Sequence, residues 1–167
     1  TYESTYIEET FIKNNYIEAC DLSQANIIIV NTCSVTNMAD KKSMKLIRKV
    51  RRENKSAILV VCGCSSQNNI EEYKKYNVDI LLGNKNKSKI NLYIKDFLEN
   101  KKRIEDVYDI ENTCFEKMTL NNYDHTRAFI KIQDGCNNLC CYCIIPFSWG
   151  GVRSKPKDDI LYEAKSL

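Results

Sequence analysis

Two almost wholly apolar runs, ANIIIVN at 25–31 and AILVVC at 57–62, constrain the fold of this chain most tightly. Both are rich in β-branched residues and too short for a buried helix, so they suit strands covered on both faces. The segment between them, 38–53, carries apolar residues at helical spacing. A third run, VDILL at 78–82, stops at Gly83 and predicts another buried strand. Helices are expected at 2–13, where Ile7 and Phe11 stand four apart, at 68–76, and at 88–100, where Ser88 suits an N-cap. Strand and helix thus alternate to about residue 100, which predicts an α/β fold with a parallel sheet and helices packed on it.

Beyond that point the pattern changes. Residues 101–123 are polar and lack clear periodicity, so they read as a connection with room for a short strand at 107–110. RAFIKIQ at 127–133 alternates apolar and polar residues, the mark of a strand. A cysteine-rich loop follows, and Pro156 and Lys157 open a helix that runs to Leu167. One strand–loop–helix unit cannot bury its own apolar face. The expected organisation is a first domain over 1–101, a linker over 102–121 and the opening of a second, truncated domain over 122–167.

Composition enters through cysteine, because nine in 167 residues is a high count. No apolar run approaches the length that spans a bilayer, and the first residues lack the charged-then-apolar layout of a secretory signal. A cytoplasmic protein without membrane contact is expected. In a reducing compartment, bunched cysteines point to metal rather than to disulfides. Four of the nine fall between Cys136 and Cys143. The formal net charge of +3 is too small to name a partner.

Cys136, Cys140 and Cys143 are spaced C-x3-C-x2-C. Three thiolates on a four-iron cluster leave one iron open to a small chelating ligand. Zinc is the competing reading, but it prefers two separated C-x2-C pairs that build a tetrahedron. Cys141 adjoins Cys140, whose side chain it should diverge from, and reads as a bystander. Cys33 and Cys64 each follow a predicted buried strand. Taken alone they read as ordinary buried thiols rather than ligands, as do Cys20 and Cys114. Cys62 competes with Cys64, but its position in the strand points it into the sheet.

The segment RAFIKIQDGCNNLCCYCIIP at 127–146 resembles the opening of a radical S-adenosylmethionine domain. NTCSVTNMAD at 31–40 and Gly63–Cys64 resemble the N-terminal domain of the methylthiotransferases. Within that family the chain is most similar to enzymes that attach a methylthio group to C2 of N6-threonylcarbamoyladenosine in tRNA. The resemblance implies a partial TIM-type radical S-adenosylmethionine barrel after the first domain. It implies a 4Fe–4S cluster on Cys136, Cys140 and Cys143 that binds S-adenosylmethionine. It also implies a second, auxiliary 4Fe–4S cluster as sulfur source, with Cys33 and Cys64 as two of its three ligands. The third matching cysteine would precede Thr1, so the ligand set is expected to be incomplete.

The resemblance further puts Tyr142 near the adenine of S-adenosylmethionine, although a packing role on the loop suits an aromatic equally well. It departs from this chain at Trp149 and Gly151, where basic residues are expected, while Arg153 remains. The implied chemistry begins with an electron from a donor, which cleaves S-adenosylmethionine to a 5′-deoxyadenosyl radical. A second S-adenosylmethionine supplies the methyl group. No histidine base is required, and the one histidine, His125, reads as a surface residue. Lys41, Lys45, Arg48, Lys49 and Arg52 line one face of a helix and suit tRNA phosphates, or simply solvent. Little turnover and weak RNA binding are expected of this chain by itself. Alternatives are a methylthiotransferase for isopentenyladenosine tRNA or for a ribosomal-protein aspartate, and a non-catalytic iron–sulfur or zinc module.

Overall fold

The two apolar runs become neighbouring parallel strands, β1 (Ile27–Thr32) and β2 (Ile58–Gly63), in the computed structural model, which describes residues 2–110, 114–120 and 128–167. With β3 (Ile80–Leu82) and β4 (Ile104–Asp106) they form a four-stranded sheet in the order β1-β2-β3-β4, parallel throughout. The helices are α1 (Tyr2–Lys13) before β1, α2 (Asn37–Glu53) between β1 and β2, and α3 (Cys64–Asn68) with α4 (Ile70–Lys74) between β2 and β3. A 3-10 turn (Lys87–Lys89) then leads into α5 (Ile90–Asn100).

Side chains alternate across the pleat, and both faces are covered. Ile28, Val30, Leu59, Val61 and Leu81 pack on one face with Ile47 and Val50 of α2 and Tyr73 of α4. Val60, Cys62, Ile80 and Leu82 pack on the other with Ile7 of α1 and Ile90 and Ile94 of α5. Thr36 caps α2 by accepting the Ala39 N–H at 3.1 Å. At the far end buried Asn54 donates to the Leu22 and Ala25 carbonyls, both at 2.8 Å, and accepts from Ala57 N–H at 2.9 Å. One side chain thereby fixes the chain where it enters both β1 and β2.

Beyond β4, α6 packs against α3 at the carboxyl edge of this sheet, while α7 bonds to Tyr2 of α1 and to the 114–120 segment. Two short antiparallel strands, β5 (Gln133–Asp134) and β6 (Arg153–Ser154), flank the cysteine loop and α6 (Ile145–Trp149), and α7 (Lys157–Ser166) follows. No helix among the described residues is long and apolar enough to cross a membrane.

Several elements differ from the sequence reading. The helix expected at 68–76 is two helices broken at Asn69, whose backbone (φ −126°, ψ 42°) leaves the helical region. The first starts at Cys64, because Ser65 and Ser66 are buried through hydrogen bonds that apolar periodicity does not register. Ser88 caps nothing. Its N–H and hydroxyl both donate to Glu116 Oε1, at 2.8 and 2.6 Å, within the 3-10 turn. The short strand of the connecting stretch lies at Ile104–Asp106, not 107–110, and it extends the parallel sheet. Of the strand expected at 127–133, Arg127 lies outside the described residues and only Gln133 is strand. Phe129 and Ile132 stay 63% and 54% exposed, although the Ile132 carbonyl accepts from Lys155 N–H at 2.8 Å just beyond the short β5–β6 ladder.

Candidate metal centre

The carboxyl edge of the sheet positions the first pair of thiols. The register places Thr32 opposite Gly63, so Cys33 and Cys64 are the next residues off neighbouring strands. Gly63 has φ +113°, and a Cβ there would stand 2.3 Å from the Thr32 carbonyl oxygen. Only glycine turns the chain so sharply against β1, and this turn starts α3 at Cys64. Thr32 Oγ1 donates to the Cys62 carbonyl at 2.8 Å and accepts from Ser66 N–H at 3.2 Å. Tyr73 donates to Ser65 Oγ at 2.7 Å, and Ser65 donates to Asp40 of α2. These bonds tie both strand ends to the helices that follow them. Cys64 is buried and Cys33 half-buried.

Cys62 lies wholly inside the core, under α1 and α5. Burial pushes its thiol up to about 11, which disfavours the thiolate a metal ligand needs. Cys20 and Cys114, expected to be buried thiols, are exposed. Cys20 sits in the turns before β1, and Cys114 in an irregular stretch where its carbonyl accepts from Lys85 Nζ at 2.8 Å.

The second set of thiols lies on a loop with a closed neck. Cys136 N–H donates to the Gly150 carbonyl at 3.1 Å, and Asp134 pairs with Arg153 across β5 and β6. Gly135 has φ +73°, and a Cβ there would stand 2.1 Å from the Gly151 carbonyl oxygen. Asn137 Oδ1 accepts from Val152 N–H at 2.9 Å. Gly151 therefore serves the neck, where a basic side chain is absent. Cys136 and Cys143 are half-buried, while Cys140 and Cys141 are exposed. Tyr142 is 88% exposed. His125 lies outside the described residues.

α6 packs against α3, which brings the loop to the edge that carries Cys33 and Cys64. Asn68 Nδ2 donates to Ser148 Oγ at 2.5 Å and to Ser34 Oγ at 3.2 Å. Asn84 Nδ2 donates to the Ser148 carbonyl at 2.6 Å. Buried Ser148, Asn84 and Lys87 have no counterpart among the residues singled out from sequence. Asparagine and lysine at loop positions carry no apolar signal that would have marked them.

Among the described residues, no three His, Cys, Asp or Glu side chains stand together as a ligand shell. The donor chemistry nonetheless fits an iron–sulfur cluster. Three thiols share one short loop, and Asn138 N–H already donates to Cys136 Sγ at 3.4 Å, a contact that stabilises a ligating sulfur.

The α2 stripe divides into two halves. Arg48 donates to Tyr76 and lies over its ring at 5.4 Å, and Lys49 and Arg52 reach Glu53. Lys41, Lys42 and Lys45 are exposed in the first turns, nearest the cysteine edge.

Residues 1–83 match the family described as Uncharacterized protein family UPF0004. The chain is 36% identical, over 99% of its length, to threonylcarbamoyladenosine tRNA methylthiotransferase MtaB of Bacillus subtilis, and 31% identical over 99% to the Aquifex aeolicus protein of that name. It is 37% identical, over 93% of its length, to tRNA-2-methylthio-N(6)-dimethylallyladenosine synthase of Clostridium tetani. Fold and relatives together define a class, the α/β domain shared with tRNA-modifying transferases. The chain belongs to the methylthiotransferase family, and it spans 38%, 41% and 36% of the length of these three relatives.

Proposed function

We propose that this chain is part of a tRNA methylthiotransferase that modifies C2 of N6-threonylcarbamoyladenosine by radical S-adenosylmethionine chemistry. In this reading residues 1–101 are the methylthiotransferase domain, 102–121 a linker and 122–167 the first unit of a radical S-adenosylmethionine barrel. Cys136, Cys140 and Cys143 hold the 4Fe–4S cluster that takes S-adenosylmethionine, with Tyr142 against the cofactor. Cys33 and Cys64 contribute to the auxiliary 4Fe–4S cluster. The observation that carries the reading is the packing of α6, which follows a neck-tied three-cysteine loop, against α3, which begins at Cys64 on a sheet edge followed also by Cys33.

When bound, the clusters and S-adenosylmethionine supply the electron, the radical and the sulfur. The chain's own residues place them. Gly63 and Gly135 let two cysteine-bearing turns pack against neighbouring backbone, and the Asn138 N–H supports the Cys136 sulfur. Partners are tRNA and an electron donor, and the location is cytoplasmic.

Anaerobic reconstitution with iron and sulfide tests the ligand assignment. Bound iron and sulfide with visible charge-transfer absorption are expected, and stoichiometric zinc in their place would sink it. The close similarity to the Clostridium tetani protein supports a second reading, in which N6-dimethylallyladenosine is the substrate. Mass spectrometry of nucleosides from tRNA modified by the full-length enzyme separates the two.

A further inference from the structure

Trp149 is the single tryptophan of the chain, and its ring lies close to two ammonium groups. Lys131 Nζ stands 4.3 Å from the ring centroid and Lys87 Nζ 5.1 Å. The lysines come from different parts of the fold. Lys87 opens the 3-10 turn after β3, and Lys131 precedes β5. One carboxylate, Glu3 of α1, holds both: it pairs with Lys131 at 2.7 Å and with Lys87 through its other oxygen. Lys131 also pairs with Asp134 at 2.7 Å. Lys87 donates to Asn84 Oδ1 at 3.2 Å, and Asn84 donates to the carbonyl of the residue before Trp149.

These four charges are largely removed from water, with side-chain exposures of 1% for Lys87, 12% for Glu3, 15% for Lys131 and 6% for Asp134. An apolar seam would join the same elements without desolvating ions, but it could slide. Ion pairs, amide hydrogen bonds and cations directed at one ring tolerate a single arrangement. The arrangement also brackets the cysteine loop. Asp134 lies just before Cys136, and Trp149 lies at the end of the helix that follows Cys143. On the opposite side, Asn84 and Lys87 stand at the edge where Cys64 begins α3.

We propose that Trp149 is a positioning residue, whose clasp by Lys87 and Lys131 sets the gap between Cys136, Cys140 and Cys143 and the pair Cys33 and Cys64. The significance of that gap rests on the ligand reading above, since a group passed between two sites loses rate steeply when one is misplaced. The gap itself is a property of the metal-free chain.

The test uses that chain, reduced and treated with a bifunctional maleimide, with cross-linked peptides mapped by mass spectrometry. Cross-links from Cys33 or Cys64 to the loop cysteines are expected in the unsubstituted chain. Trp149→Phe, which keeps an aromatic face, should stay within about twofold of that yield. Trp149→Leu should fall at least about fivefold while circular dichroism reports a folded chain. Should Trp149→Leu fail to fold, Lys131→Gln takes its place, with the same loss and a shift in Trp149 emission. Three results would overturn the proposal: no such cross-links in the unsubstituted chain, an undiminished yield in a folded Trp149→Leu or Lys131→Gln chain, or a Trp149→Phe yield as low as that of Trp149→Leu. Iron plays no part in the readout, so failure of the cluster assignment would be seen separately, in reconstitution.

Discussion

Lys155 Nζ and the Glu163 carboxylate pair where neither meets water, their side chains retaining 1% and 0% of their exposure. Glu163 Oε1 also accepts from Tyr2 OH at 2.6 Å and Leu120 N–H at 2.9 Å, and Lys155 donates to the Met118 carbonyl at 2.9 Å. This one pair joins α1, the 114–120 segment and α7. Burial, and then the Glu163 carboxylate, push the Tyr2 phenol well above its ordinary range.

Removing one partner leaves an uncompensated buried charge. Lys155→Met should destabilise the chain by about 3–5 kcal/mol. Adding Glu163→Gln, which retains an acceptor for Tyr2 and Leu120, should recover part of that loss. Urea unfolding of the single and double variants checks this; a double variant weaker than the single one would refute it.

Glu3 contributes to the acid limb of stability. Burial raises its carboxyl, but Lys87 and Lys131 outweigh burial and hold it below the usual carboxylate range. Its folded value is thus lower than its unfolded one. The stability it lends is complete above roughly pH 4.3 and is lost as pH falls through the folded value. Lys87 behaves oppositely. Burial lowers it, Glu3 more than restores it, and its contribution is complete below roughly pH 10.4 and lost as pH rises through its raised value. Glu3→Gln should flatten the acid limb of the urea midpoint plotted against pH.

Gly63→Ala should cost about 1–3 kcal/mol or more, because the left-handed backbone and the Thr32 carbonyl at 2.3 Å both reject a Cβ. A fall in the thermal midpoint, together with faster thiol labelling of Cys64 as α3 loosens, is the expected signature.

Cys62→Ala should leave reconstituted iron per chain unchanged, since its buried, raised thiol is a core residue. Cys136→Ser, Cys140→Ser and Cys143→Ser should each reduce bound iron. Equal losses from all four variants would reassign Cys62.

Lys41, Lys42 and Lys45 stand exposed in the amino-terminal half of α2, free of the tyrosine and glutamate contacts that engage Arg48, Lys49 and Arg52. If they meet RNA phosphates, their combined change to Gln should lower the slope of log affinity against log salt by about 2. Anisotropy of labelled tRNA across a salt series measures it, and an unchanged slope would assign these lysines to solvent.

Three of the sheet's four strands were legible because β1, β2 and β3 are rich in apolar residues and buried on both faces, and the long helices are periodic. By contrast β4, Ile104–Asp106, is part-exposed and two of its three residues are acidic. The helix at Tyr2–Lys13 was read to the residue, and β1, β2 and α2 to within two. What escaped depends on polar residues that are buried. Ser65, Ser66 and Asn84 look like loop material, yet they fasten the site's edge. Ser88 has the chemistry of a cap, but a carboxylate 28 residues away takes its donors. Trp149 read as a departure from the family pattern. Its partners lie 62 and 18 residues away in sequence (149 − 87 and 149 − 131), beyond any local periodicity.

The neck formed by Gly135, Gly150 and Gly151 divides the chain into parts with different freedom to vary in length. Between Asn138 and Tyr142 no bond of that closure is made, so length there is left to the spacing that Cys136, Cys140 and Cys143 need to share one cluster in the proposed reading. At the neck, one inserted residue would shift β5 against β6 and carry Trp149 out of reach of Lys131 and Lys87. The cysteine segment is thus constrained twice over: backbone bonds fix its base, and the spacing of its thiols fixes its tip.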